Sequence, residues 1–216
     1  MEQLVNAVMN AIHMAGFVEI EVSAKHVHLT QEDVEVLFGK GAVLEPTRPL
    51  SQPGQFLSNQ RVTLIGPKKK MERVAVLGPV RKATQVELSK SDCVALGVDA
   101  PVRESGDIAG SGAITIEGPC GKLDIKEGVI IAHNHIHVTE PDSKLLKLYD
   151  KDRVAVEVFS DRPVIFEDVI IRVSKQFSCK MHIDFDEANA AAVHGFTLGR
   201  IIRKIDAKGV GRMSDG

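Results

Sequence analysis

Two short histidine-rich segments decide the fold of this chain: VSAKHVHL at residues 22–29 and AHNHIHV at residues 132–138. Each alternates imidazoles with apolar residues, as in His26 and His28 or His135 and His137. Such alternation is typical of a β-strand, where residues i and i+2 lie on one face, roughly 7 Å apart. Two imidazoles so placed can bind one metal ion. Since the segments hold five of the eight histidines, they are the strongest functional signal in the sequence.

Length and composition place the chain among ordinary globular proteins. It has 216 residues, 44% hydrophobic and 26% charged, enough for one large domain or two small ones. The net charge of -2, the absence of Trp and the single Tyr argue against a nucleic-acid partner. No apolar run approaches the ~18 to 20 residues that span a bilayer, so we expect no membrane partner. Three distant cysteines, Cys93, Cys120 and Cys179, favour a reduced cytoplasmic location.

The spacing of strand-like segments predicts a mainly β protein. Many short alternating segments at roughly 8 to 12 residue spacing, with glycine turns and brief helices, are typical of β-barrels. Each histidine segment begins a similar strand-to-helix unit, so we predict two small β-barrel domains with short capping α-helices. The predicted bounds are 17–24 plus 133–203 for one barrel, 25–132 for the other with a lid loop near 50–58, 1–16 for an amphipathic helix and 204–216 for a flexible tail.

Turn and cap residues predict the local structure in more detail. Repeated Gly and Pro predict one long loop across residues 39–55. Glycine turns and short apolar runs predict separate strands at 122–125 and 128–131, and at 164–165 and 169–173. Helices are expected after the N-cap residue Thr30, at 90–96, at 140–148 with Pro141 in the first turn, and at 186–192.

The histidine pairs need a further ligand to form a metal site. A pair of histidines supplies two of the three or four ligands that zinc requires. The candidate carboxylates are Glu87, Asp184 and Glu140, and the residues alone leave the choice among them open. Surface imidazoles on a sheet edge are the simpler interpretation of each pair. His182, flanked by apolar residues, is by itself more typical of a hydrogen-bonded core or surface histidine.

Arg81 and the lysine turn at 68–70 are candidate anion-binding residues. The guanidinium fork of Arg81 matches phosphate, although a surface salt bridge would explain it equally well. The lysine turn could hold phosphates, but a solvated hairpin tip is the commoner role. No phosphate-binding glycine loop and no serine nucleophile motif occurs in the sequence.

Five segments together resemble the PduL-type phosphate propanoyltransferases, from about residue 17 to 191. They are VSAKHVHL (22–29), LSQPGQ (50–55), LGPVR (77–81), QVE (85–87) and MHIDFDEANA (181–190). The resemblance implies two β-barrels and a reversible reaction in which acyl-CoA and phosphate give acyl phosphate and CoA. It implies no protein nucleophile, which fits the absence of such a motif.

The resemblance also implies a ligand for each part of the site. It implies two zinc ions per chain, one held by His26, His28 and Glu87 and the other by His135, His137 and His182. Arg81 would hold phosphate. The positions that match CoA contacts are Val22, Ser23, Ala24, Lys68 and Asn189. Ala75 departs from the family, since some members carry an arginine there, and His133 lies outside the matched ligands.

Two other functions remain open at this stage. A cupin-like barrel metalloenzyme would use His135, His137 and one carboxylate for hydrolysis or isomerisation, but it leaves His26, His28 and Arg81 unexplained. A non-enzymatic barrel could instead bind an anionic ligand. For the transferase, CoA, acyl-CoA and phosphate are the expected partners. We also expect a homodimer, and residues 1–16 could direct the enzyme into a bacterial microcompartment.

Overall fold

A computed structural model describes residues 7–8, 11–12, 14–205 and 211–213 of the chain. The chain divides into two compact units. We call Ala24–His133 the central unit, and Met1–Ser23 with Asn134–Gly216 the terminal unit. Each unit contains a closed barrel, so the predicted fold class of two small β-barrels with short helices is confirmed.

The barrel of the central unit closes through six strands. The ring runs β4-β5-β2-β6-β9-β8 and returns to β4, while β3 and β7 extend the sheet at β4 and β9. The strands and helices of this unit are β2 (His26–His28), α1 (Gln31–Phe38), β3 (Pro46–Pro49), β4 (Phe56–Ile65), β5 (Lys70–Gly78), β6 (Gln85–Glu87), α2 (Lys90–Leu96), β7 (Val102–Arg103), β8 (Gly112–Glu117) and β9 (Lys122–Ala132).

The barrel of the terminal unit also closes through six strands. The ring runs β1-β13-β10-β12-β11-β14 and returns to β1, while β15 pairs with β14 outside the ring. The elements of this unit are β1 (Phe17–Ser23), β10 (His135–Val138), α3 (Glu140–Leu146), β11 (Arg153–Phe159), β12 (Ile165–Val173), β13 (Lys180–Asp184), α4 (Phe185–Ala190), β14 (Thr197–Ile205) and β15 (Gly211–Met213).

The apolar residue between each pair of histidines anchors its strand in a barrel core. Val27, between His26 and His28, is fully buried in the core of the central unit. Ile136 is fully buried in the core of the terminal unit. Burying a side chain of this size contributes about 1.5 to 3 kcal/mol. Because strand side chains alternate, this burial turns the histidines to the opposite face of each strand.

Both histidine strands run directly into a capped helix, as predicted. The Thr30 hydroxyl accepts a hydrogen bond from the Asp33 N–H at 3.1 Å and begins α1. The Thr139 hydroxyl accepts one from the Asp142 N–H at 3.2 Å and begins α3. An N-cap of this kind stabilises a helix by about 1 kcal/mol. Each cap therefore fixes where its histidine strand ends.

Several sequence predictions about strands and loops were wrong. Part of the predicted loop at 39–55 forms β3, an exposed edge strand that pairs with β4. The strands predicted at 122–125 and 128–131 are one strand, β9, whose pairing with β8 shifts register across Gly128, a glycine at φ +130°. Likewise β12 runs unbroken from Ile165 to Val173, although separate strands were predicted at 164–165 and 169–173. The strand β14, which closes the terminal barrel, was not predicted.

The two ends of the chain are described only in part. Within the predicted helix at 1–16, residues 7–8, 11–12 and 14 are helical, residues 15–16 form a turn, and residues 1–6, 9–10 and 13 lie outside the described residues. In the predicted tail at 204–216, Gly211–Met213 pairs with β14, and residues 206–210 and 214–216 lie outside them. Among the described helices, none combines the length and apolar character needed to cross a membrane.

Candidate metal centres

The central unit brings His26, His28 and Glu87 together. Antiparallel pairing of β2 with β6 sets His26 directly opposite Glu87. The Nε2 atom of His26 lies 3.4 Å from Oε2 of Glu87, and Nε2 of His28 lies 3.9 Å from Oε1. Among the residues that the structure describes, this is the one group of three or more His, Cys, Asp or Glu side chains with all ligand atoms within 4.8 Å.

Hydrogen bonds select which atoms of this group can bind a metal ion. The Nδ1 atom of His26 lies 2.7 Å from the carbonyl oxygen of Ala24, which can only accept, so Nδ1 carries the proton and Nε2 keeps its lone pair. Oε1 of Glu87 accepts hydrogen bonds from the Gln85 amide at 2.6 Å and the Ser105 hydroxyl at 2.8 Å. Oε2 therefore remains as the carboxylate oxygen that faces His26.

The charge states of the group suit a cation. Burial, the imidazole of His26 and the guanidinium of Arg81 lower the pKa of His28 well below its usual range. Burial alone would raise the pKa of Glu87, but the imidazoles of His26 and His28, the Ser105 hydroxyl and Arg81 outweigh it and lower that pKa to about 2. At neutral pH His28 thus offers a neutral imidazole and Glu87 an ionised carboxylate, the forms that bind a metal.

Arg81 lies beside this group. Its Nη1 atom donates a hydrogen bond to the Ser105 hydroxyl at 2.9 Å, and that hydroxyl in turn donates to Glu87. The backbone N–H of Arg81 donates to the Leu29 carbonyl at 2.8 Å, which ties Arg81 to the residue after the histidine strand. A half-buried guanidinium that is linked to Glu87 through the Ser105 hydroxyl can hold an anion beside this group.

The terminal unit brings three imidazoles together. Antiparallel pairing of β10 with β13 sets His135 directly opposite His182. The ring centroids lie 4.7 Å apart for His135 and His137, 5.3 Å for His135 and His182, and 4.8 Å for His137 and His182. The ring of Phe177 packs on the ring of His137, with the two centroids 4.1 Å apart. His182, which the sequence alone left ambiguous, thus joins the histidine pair.

His137 has the properties of a buried metal ligand. Its Nδ1 atom is buried and has no hydrogen-bond partner among the described residues. Burial, followed by the imidazoles of His135 and His182, lowers the pKa of His137 to about 2. A neutral ring with an unused buried nitrogen is suited to a metal ion, because a buried polar atom otherwise costs about 1 to 3 kcal/mol.

Comparison with known proteins gives the family. The family described as phosphate propanoyltransferase matches residues 19–194. The chain belongs to this family. It is 51% identical over 184 residues to a phosphate propanoyltransferase of Thermotoga maritima (85% of this chain, 88% of that protein). It is 47% identical over 191 residues to one of Listeria monocytogenes (88% and 90%) and 43% identical over 204 residues to one of Clostridioides difficile (94% and 98%).

Membership of this family confirms the resemblance seen in the sequence. It favours an acyltransferase over the cupin-like enzyme and over a non-enzymatic barrel. The other two carboxylates considered as ligands also have different roles. Asp184 caps α4 and accepts a hydrogen bond from the Glu187 N–H at 2.9 Å. Glu140 is half-exposed in the first turn of α3, and its Oε2 atom lies 3.9 Å from Nζ of Lys175.

The residues that match CoA contacts fall in both units. In the terminal unit, Val22 and Ser23 end β1, and the exposed Asn189 lies on α4, which packs on β1. In the central unit, Ala24 and Lys68 are exposed. The backbone N–H of Lys68 donates to the Leu96 carbonyl at 2.9 Å, which holds the turn against α2.

Two further positions were singled out by the sequence. Ala75 pairs with His26 across β5 and β2, so it lies beside the candidate centre of the central unit. His133 is half-buried at the end of that unit, and its backbone N–H donates to the Arg103 carbonyl at 2.9 Å. The functional assignments of both positions stay predictions.

Sequence reasoning missed two residues of the central unit, Gln85 and Ser105. Gln85 had a signal, since it alternates with Glu87 and must share its face of β6. Ser105 had none, because it lies in a loop far from β2 and β6 along the chain and carries no motif. Its place beside Glu87 depends on the folded barrel.

Proposed function

We propose that this protein is a zinc-dependent phosphate acyltransferase that interconverts a short-chain acyl-CoA plus phosphate with acyl phosphate plus CoA. Propanoyl-CoA is the expected substrate, because the family and its curated relatives carry the name phosphate propanoyltransferase. The observation that carries the proposal is the group of His26, His28 and Glu87. The guanidinium of Arg81 is linked to Glu87 of this group through the Ser105 hydroxyl.

The two ligand groups fit zinc. Two imidazoles with one carboxylate, and three imidazoles, are both ligand sets of catalytic zinc sites that leave a position open. His26, His28 and Glu87 would hold one ion, and His135, His137 and His182 a second. The proton on Nδ1 of His26 and the unused buried Nδ1 of His137 support this assignment. When bound, zinc would act as a Lewis acid on the thioester carbonyl and the departing thiolate.

The residues of the chain would bind and orient the reactants. Arg81 would hold phosphate through its planar fork of N–H donors. A phosphate oxygen attacks the carbonyl carbon, the C–O bond forms, the C–S bond breaks, and CoA leaves as its thiolate. Since phosphate is itself the nucleophile, no acyl-enzyme is needed. Orienting two reactants in this way can lower the barrier by about 7 to 11 kcal/mol in favourable cases.

The remaining parts of the proposal concern CoA and the surroundings of the enzyme. Val22, Ser23, Ala24, Lys68 and Asn189 would contact CoA. The turn at 50–55, closed by a 3.0 Å hydrogen bond from the Leu50 N–H to the Gln55 carbonyl, would act as a lid that excludes water from acyl phosphate. We further propose a homodimer in the cytoplasm, with residues 1–16 able to direct it into a microcompartment.

The proposed function is tested by following CoA release from propanoyl-CoA with and without inorganic phosphate. Zinc-loaded wild type is expected to release CoA only with phosphate. Arg81→Ala should keep its zinc and lose roughly 100- to 1000-fold in phosphate-dependent turnover, the usual cost of one donor to a reacting anion. Arg153→Ala, which removes an exposed arginine paired with Asp168, should leave turnover unchanged. Equal turnover in the Arg81 and Arg153 variants would refute the role of Arg81.

A further inference from the structure

The hydroxyl of Ser105 lies at the centre of a hydrogen-bonded group in the central unit. It is 2.8 Å from Oε1 of Glu87, 2.9 Å from Nη1 of Arg81 and 2.9 Å from Nε2 of Gln85. Ser105 is half-buried in the loop after β7 and lies on none of the strands that carry the metal ligands. One side chain thus contacts both the predicted metal ligand and the predicted phosphate-binding residue.

The direction of each hydrogen bond follows from the chemistry of the partners. Arginine and the amide nitrogen of glutamine can only donate, so the Ser105 oxygen accepts from Arg81 and Gln85. Its single proton must then go to Glu87. The Gln85 amide is oriented by the Gly106 N–H, which donates to Oε1 of Gln85 at 2.7 Å and leaves Nε2 for Ser105 and Glu87. A continuous chain therefore runs from Arg81 through Ser105 to Glu87.

This chain of hydrogen bonds joins a residue that can bind an anion to a residue that can bind a cation. Donation from the cationic Arg81 polarises the hydroxyl and makes it a stronger donor to Glu87, which draws charge away from the carboxylate. Phosphate on the other N–H groups of Arg81 would partly neutralise the guanidinium and weaken this pull. Glu87 would then carry more negative charge toward a metal ion. Binding at either end would thus favour binding at the other.

We propose that Ser105 is a positioning residue that couples phosphate binding at Arg81 to metal binding at Glu87, so that each ligand raises the affinity for the other. The inference rests on the proposed function, because it takes zinc and phosphate as the two ligands. It adds a residue and a reciprocal coupling to that function. By thermodynamic linkage the same factor must apply to both ligands.

The test measures the zinc affinity of apo-protein by competition with a chromophoric chelator, with and without inorganic phosphate. In wild type, phosphate should tighten one of two zinc-binding steps by roughly tenfold. Without phosphate, Ser105→Ala should weaken zinc binding in that step roughly 10- to 100-fold, as loss of a hydrogen-bond partner to a metal ligand does. In this variant, adding phosphate should change the zinc affinity by less than about twofold. Ser105→Thr, which keeps the hydroxyl, should restore both.

Matched measurements separate coupling from folding. Ser111→Ala removes another half-buried hydroxyl of the same unit, one that donates to the Ile108 carbonyl at 2.7 Å and accepts from the Gly128 N–H at 2.8 Å. It should leave both zinc affinities and the phosphate effect unchanged, and thermal unfolding shows whether each variant is folded. The KM for phosphate should rise in Ser105→Ala, and the zinc affinity of the histidine group in the terminal unit should not change.

Two outcomes would overturn the coupling while leaving the proposed function in place. One is an active, zinc-loaded wild type whose zinc affinity does not change with phosphate. The other is a folded Ser105→Ala variant with the wild-type phosphate effect. A wild type that binds no zinc and releases no CoA would instead refute the proposed function, and the coupling with it.

Discussion

The histidine strands of the two barrels, β2 in the central unit and β10 in the terminal unit, have the same surroundings. Each has a parallel neighbour on one side, β5 or β12, and an antiparallel neighbour on the other, β6 or β13. Each ends at a helix capped by a threonine, Thr30 or Thr139. In each, the third side chain of the group stands opposite the first histidine, Glu87 opposite His26 and His182 opposite His135. The same local fold thus builds both groups.

The two groups differ in charge and in the contacts that hold them. In the central unit the third residue is a carboxylate fixed by hydrogen bonds from Gln85 and Ser105. In the terminal unit it is an imidazole, and ring packing with Phe177 orients its neighbour His137. With its imidazoles in the neutral form that binds metal, the first ligand set carries one negative charge and the second carries none. One barrel geometry can therefore present two candidate ligand sets of different net charge.

The largest expected effect comes from removing the third side chain of either group. Glu87→Ala and His182→Ala should each lose one of two zinc ions and about 1000-fold in phosphate-dependent turnover, since a Lewis acid supplies several kcal/mol of transition-state stabilisation. Zinc content by mass spectrometry and CoA release are the measurements.

Matched substitutions away from the two groups serve as controls for that comparison. Glu140→Ala removes the half-exposed carboxylate of α3, and His194→Ala removes an exposed histidine. Both should keep two zinc ions and nearly full turnover. If Glu87→Ala and His182→Ala retain two ions as well, the equivalence of the two barrels fails.

A smaller effect should separate the contacts that hold each group. Gln85→Leu should lower the zinc affinity of the central unit alone, and Phe177→Leu that of the terminal unit alone. Each loss should be roughly tenfold, because supporting residues typically contribute that much to metal affinity. Competition with a chromophoric chelator resolves the two binding steps. Weakening of both steps by either substitution would show that the two groups are not held independently.

The smallest effect concerns stability. Val27→Ala and Ile136→Ala remove the buried residue behind each pair of histidines and should lower the free energy of unfolding by about 2 and 3 kcal/mol. Denaturant unfolding of the zinc-free protein measures this loss. Val43→Ala, at an exposed position, should change stability by less than about 0.5 kcal/mol. A change in the free energy of unfolding of less than about 0.5 kcal/mol in Val27→Ala or Ile136→Ala would contradict the burial of these residues in the barrel cores.

Local sequence patterns predicted the histidine strands and the cap at Thr30 because both depend on neighbours along the chain. The alternation of His26 and His28 around Val27 needs only the two-residue period of a strand. The cap at Thr30 needs only a hydroxyl three residues before an available N–H. Closure of the terminal barrel by β14 needs pairing with two strands distant in sequence, β1 and β11, and no local pattern carries it.

Residue patterns could not identify the carboxylate that joins His26 and His28, for the same reason. Glu87, Asp184 and Glu140 are all carboxylates near strand ends, and only strand register distinguishes them. Register places Glu87 opposite His26, while Asp184 is committed to capping α4. The resemblance to the family implied Glu87 as the third ligand, and its role as a ligand stays a prediction.

Crystals of the zinc-replete protein, with anomalous diffraction recorded at the zinc absorption edge, test the central claim most directly. The account predicts two peaks per chain at about 2.0 to 2.2 Å from ligand atoms, one among His26, His28 and Glu87 and one among His135, His137 and His182. Zinc bound elsewhere, with these side chains uncoordinated, would contradict it.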